Sequence, residues 1–86
     1  MRINYSEQTE DRRKVESNFF NLMKRYKAEL KSCRGVLGIF TEGTYNLRDS
    51  LIVHYYLSNE FFEASVSGSL KNKEQVELLE LKLLEI

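Results

Sequence analysis

Val15, Phe19, Leu22, Met23, Tyr26, Leu30 and Cys33 recur at helical spacing along the first part of the chain. At 100° per residue these positions fall within an arc of roughly 100°, the width of an apolar stripe that faces a core, so the pattern predicts one long amphipathic helix over residues 7–34. Ser6 or Thr9 can cap its start, without a capping box, because Arg12 and not Glu stands three residues after Thr9. Gly35 follows as a residue able to take the left-handed conformation that closes a helix. Glu7, Glu10 and Asp11 near the start, with Lys31 and Arg34 near the end, complement the helix dipole.

Beyond Gly35 the period changes to two. Residues 36–40 read as a short strand, 41–46 as a loop, 47–57 as a long strand and 61–70 as a third strand. With Ser58 and Asn59 as a two-residue turn, Tyr55 faces Phe62, Val53 faces Ala64, Leu51 faces Val66 and Leu47 faces Leu70. One side of this hairpin is then almost wholly apolar, while His54 opposite Glu63 and Ile52 opposite Ser65 belong to a mixed side suited to water. Residues 73–86 are rich in Glu, Leu and Lys and predict a C-terminal helix with Asn72 as cap. That helix turns Val76, Leu79, Leu83 and Ile86 to the core and leaves Leu78, Leu81 and Leu84 on its far side. A fourth strand with Leu79, Leu81 and Leu83 on one face is the alternative. The expected architecture is a single α+β domain over residues 1–86, in which a long N-terminal helix, a three-stranded antiparallel meander and a C-terminal helix follow one another.

Composition narrows the class. An 86-residue chain with 42% hydrophobic, 30% charged and 12% aromatic residues is large enough for one modest core and too aromatic for a disordered segment. No apolar run approaches the ~20 residues needed to cross a bilayer, and the opening residues Met-Arg-Ile-Asn-Tyr-Ser hold no apolar signal core. A lone cysteine fits a reducing compartment, so a cytoplasmic protein without a membrane partner is expected. The net charge of zero hides a split, since residues 1–34 hold nine basic and five acidic side chains and residues 35–86 hold four and eight.

Candidate chemistry is sparse. His54 is the single histidine, so any histidine-dependent mechanism passes through it, and its expected role is a cross-strand pair with Glu63. Cys33, on the apolar arc, is expected to be buried and inert. One Cys and one His cannot supply a zinc-type ligand set, and no metal or cofactor is expected. The two glycines of residues 38–44 have phosphate-loop spacing but lack the lysine before Thr44 and a following helix. What remains is a basic stripe on the first helix. Arg13, Lys24, Lys27 and Lys31, with Phe20 among them, form the expected partner-binding surface. Leu78, Leu81 and Leu84 offer a second contact surface, most simply for a homodimer. The function expected is that of a small non-enzymatic protein of the bacterial or phage accessory type, which regulates or inhibits a macromolecular partner. An acidic protein is the favoured partner, and a nucleic acid held by the basic flank is the alternative.

Overall fold

A computed structural model describes residues 2–4 and 9–86, the side chains of residues 9–11, 49 and 70 excepted. The expected caps and charges at Ser6, Glu7, Glu10 and Asp11 therefore lie outside the described structure. The elements run β1 (Arg2–Asn4), α1 (Thr9–Arg25), β2 (Glu29–Val36), β3 (Phe40–Asn46), β4 (Ile52–Ser58), β5 (Phe61–Ser67) and α2 (Lys73–Leu84), with short 3-10 turns at Arg48–Ser50 and Leu70–Asn72. The class is α+β and both helices are present, but the antiparallel sheet has five strands in the order β1-β5-β4-β3-β2, not three.

The first helix is much shorter than its apolar spacing predicts. It ends at Arg25, where Lys27 adopts a left-handed backbone with φ of 53°. The Ala28 N–H donates to the Met23 carbonyl and the Lys27 N–H to the Lys24 carbonyl, both at 3.0 Å, which together make a Schellman closure with lysine where glycine is usual. Gly35, expected to end the helix, lies inside β2 opposite Thr41, where a Cβ would collide with the Phe40 carbonyl oxygen. The misleading periodicity has a geometric cause. The β2–β3 ladder shifts register between Leu30 and Ser32, leaving Lys31 as an extra residue, so Leu30 opposite Tyr45 and Cys33 opposite Gly43 share one face of the sheet. A bulge thus reproduces in a strand the three-residue spacing of a helix.

The strand expected at residues 36–40 is instead a turn, closed by the Ile39 N–H donating to the Val36 carbonyl at 2.9 Å, with Gly38 at φ of 81°. Residues 41–46, expected as a loop, belong to β3. In the β4–β5 hairpin the turn residues are Asn59 and Glu60, one step beyond the expected pair, because the Ser58 hydroxyl accepts the N–H groups of Glu60 and Phe61 at 3.2 and 3.1 Å. Leu57 therefore faces Phe62, Tyr55 faces Ala64 and Val53 faces Val66. This shift of two residues keeps every side chain on its expected face. Leu47 and residues 48–51 precede β4 as a tight turn, and the side chain of Leu70, expected opposite Leu47, is outside the described set.

Both helices cover one side of the sheet. Among the described residues the buried set is entirely hydrophobic and centres on Phe19, whose ring lies 6.2 Å from Tyr45, 5.3 Å from Tyr55 and 5.0 Å from Phe62, one from each of β3, β4 and β5. Leu79 and Leu83 of α2 complete the core with Val76 and Ile86 packed beside them, as the helical reading of this segment expects, and the fourth-strand alternative is overturned. Replacing Phe19 by Ala should cost ~3–5 kcal/mol in urea unfolding, since its ring is wholly enclosed. Lys27→Gly should raise stability by ~0.5–1 kcal/mol in the same measurement, because glycine takes the left-handed conformation without a Cβ penalty.

Candidate functional site

The end of α1 at Arg25 divides the basic stripe among three elements. Arg13 and Lys24 remain on the exposed flank of the helix, Lys27 forms its closing turn, and Lys31 is the extra residue of the β2 bulge. Lys24 and Lys27 are neighbours through their backbone hydrogen bond, whereas Arg13 lies eleven residues before Lys24, roughly 16 Å along the helix axis. The continuous track expected over residues 13–31 is not formed.

Phe20, expected on the partner-binding surface among the basic residues, is drawn to the sheet. Its ring meets Phe19 edge-on at 5.4 Å and Tyr55 edge-on at 5.9 Å. Even so it stays 37% exposed, across a cleft from the turn at residues 37–39. There Leu37 is 103% exposed and Ile39 60%. A cleft of about 260 Å³ separates this turn from α1, with Phe20, Phe40 and Leu57 among its walls. Arg12 crosses it to hydrogen-bond the Asn59 side chain, and Asn59 in turn donates to the Gly38 carbonyl at 2.9 Å, which fixes the turn against the helix. Aliphatic side chains at the tip of a hairpin occupy positions that Asn, Asp or Ser usually fill. Their exposure beside an aromatic ring marks a contact surface, not a stray hydrophobe. The sequence signal lies in Leu37-Gly38-Ile39, but the expectation of one strand over residues 36–40 takes all three into its interior and conceals it.

Next to this corner, β3 carries Gly43 between Cys33 of β2 and Tyr55 of β4. A Cβ on Gly43 would stand 2.6 Å from the Ser32 carbonyl oxygen and 2.8 Å from the Tyr55 ring, so only glycine lets the tyrosine lie across the strand. The Tyr55 hydroxyl then donates to the Cys33 sulfur at 3.6 Å. Cys33 is exposed, a correction to its expected burial, because among the described residues no helix covers β2. Burial raises the Tyr55 pKa well above its ordinary value, helped by the hydrogen bond to Cys33, and burial raises that of Tyr45 too.

His54 faces the open side of the sheet, where its Nδ1 lies 3.1 Å from the Thr44 hydroxyl and its direct neighbour on β5 is Ser65. The expected partner, Glu63, stands opposite Tyr56 and hydrogen-bonds no imidazole among the described residues. A row of side chains crosses this open face. Phe40 stacks on Tyr56 at 5.4 Å and Tyr56 on Phe61 at 5.3 Å, and the Arg2 guanidinium lies 3.9 Å from the centre of the Phe61 ring. Tyr56 is thereby enclosed between two rings. On α2, Leu78, Leu81 and Leu84 are all exposed. Among the described residues no three of His, Cys, Asp and Glu come together in a way that could hold a metal ion, and no helix is long and apolar enough to cross a membrane.

The tyrosine shifts carry a pH dependence. Below pH 10 the phenol is neutral in both states; above it the unfolded chain ionises first, so stability falls as pH rises from the ordinary value of 10.0 toward the higher folded one. Tyr55→Phe should flatten this alkaline limb in circular-dichroism unfolding between pH 8 and 12, as flagged by roughly one fewer proton released on unfolding. Compared with protein families, curated proteins and solved structures, the chain matches none of them.

Proposed function

We propose that this chain is a non-enzymatic binding protein that docks on another protein through the corner formed by Phe20, Leu37 and Ile39, and that it regulates or blocks that partner by covering its surface. The observation that carries this reading is the complete exposure of Leu37 at a turn that hydrogen bonds through Arg12 and Asn59 tie to α1. A preformed apolar tip needs little ordering on contact, which is the condition for affinity from a small area. Arg13, Lys24 and Lys27 lie on the flank of the helix or at its end and supply a basic rim, which favours a partner with an acidic surface and raises its rate of encounter.

Two features support a protein partner over a nucleic acid. The cations are spread over a helix, a turn and a bulge, and so do not follow a phosphate backbone as one track. On the open face, Tyr56 is enclosed between Phe40 and Phe61, whereas single-stranded bases need free ring faces on which to stack. A binding role also agrees with the setting of His54, whose imidazole meets a hydroxyl and no orienting carboxylate among the described residues. The exposed thiol of Cys33 suits a reducing compartment such as the cytoplasm.

Loss of two aliphatic anchors removes about 3 kcal/mol of contact energy, roughly 100-fold in affinity. The tagged chain should therefore retain a protein from nuclease-treated extract of its source cells, and the double variant Leu37→Glu, Ile39→Glu should not retain it. Retention that nuclease treatment abolishes, or equal retention by the double variant, would overturn the assignment.

A further inference from the structure

The opposite flank of the helical layer carries a surface of matching character. On α2 each exposed leucine stands four residues after a glutamate: Leu78 after Glu74, Leu81 after Glu77 and Leu84 after Glu80. Residues four apart are neighbours on a helix surface, so three leucines run beside three carboxylates along one side of α2. The flank of α1 that carries Phe20 has the inverse charge, since Arg13 and Lys24 stand on it, seven residues before and four after the ring, while Arg12 beside them is paired with Glu16. Its apolar part is the corner of Phe20, Leu37 and Ile39. The two surfaces cannot meet within one chain. A cleft lined by Asn18 and Arg25 of α1 and by Lys82 and Ile86 places α2 beside one flank of α1, while Phe20 on the other flank faces the β2–β3 turn.

From this we infer that the occupant of the corner is a second copy of the chain, whose α2 lays Leu78, Leu81 and Leu84 against Phe20, Leu37 and Ile39 while its glutamates face Arg13 and Lys24. The inference rests on the reading of the corner as a protein-docking surface. An α2-to-α2 contact is the simpler homodimer, but α2 carries Glu74, Glu77 and Glu80 against Lys73 and Lys82, so that contact brings two net-acidic helices together, whereas the α2-to-corner contact pairs opposite charges. The contact joins unlike surfaces: exchanged reciprocally by two copies it gives a closed two-fold dimer, and passed on head to tail it extends.

Sedimentation of the purified chain tests this. At low salt, from ~10 µM to ~1 mM, the average mass should rise above that of the monomer, and ~0.5 M salt should reduce it. Leu81→Glu with Leu84→Glu removes the helix surface, and Leu37→Glu with Ile39→Glu removes the corner; all four positions are exposed, and circular dichroism verifies the fold. Each double variant alone should remain monomeric, with association at least tenfold weaker, while a mixture of the two should form a one-to-one complex through the single intact contact. Should either variant fail to fold, the exchanges Lys24→Glu with Arg13→Glu and Glu77→Lys with Glu80→Lys repeat the mixing experiment. A wild-type chain that stays monomeric at 1 mM, or a single variant that still self-associates, overturns the inference. A monomeric chain that nevertheless captures a protein from extract through Leu37 and Ile39 overturns the inference alone and leaves the docking reading standing.

Discussion

The left-handed backbone at Lys27 is the constraint from which the rest of the architecture follows. A helix continued through this residue would consume residues 29–34, leave β3 without its outer neighbour and set Lys31 on the same cylinder as Lys24. Stopping at Arg25 releases eight residues to become β2. An L-residue in this conformation is disfavoured by ~1–2 kcal/mol. The two capping hydrogen bonds from Lys27 and Ala28, and the pairing of β2 along β3, offset that cost. Local preference is overruled here by the pairing of a whole strand.

Once the helix is shortened, its packing decides the shape of the candidate site. Phe19 is surrounded by rings from three strands, and Phe20, the next residue along, is carried by the turn of the helix toward the side where β2 has no cover. Gly43 allows Tyr55 to lie across β3, and the edge of that ring meets Phe20. The corner is thus an extension of the core that the helical layer is too narrow to enclose. Its apolar character is continuous with the interior, and its exposure comes from the missing cover over β2.

Much of this was legible in the pattern of residues and some was not, for identifiable reasons. The hairpin faces from Val53 to Val66 were readable because strand alternation survives a register shift of two; the turn itself moved because the Ser58 hydroxyl binds two backbone N–H groups, an effect no polarity pattern reports. The C-terminal helix was readable from its helix-forming residues together with the stripe of Leu79 and Leu83. β3 was not, because Thr41 and Gly43 face the helices where apolar residues would be expected, Gly43 serving as room for Tyr55. Of the candidate site, Phe20 stands out in the sequence as an aromatic ring among basic residues, but its neighbours Leu37 and Ile39 both fall inside the strand expected at residues 36–40. β1, only three residues long, carries no pattern at all.

The extra residue at Lys31 has a consequence for solubility. β2 ends the sheet with eight exposed residues and, among the described residues, no neighbour beyond it, the type of border along which chains add to one another by backbone pairing and grow into fibrils. A bulge interrupts the regular alternation of donors and acceptors midway along that border, increases its twist and sets a lysine at the break. The irregularity that makes β2 resemble a helix in sequence therefore also spoils it as a template for strand addition, and any association between copies is left to side chains, where charge can choose the partner.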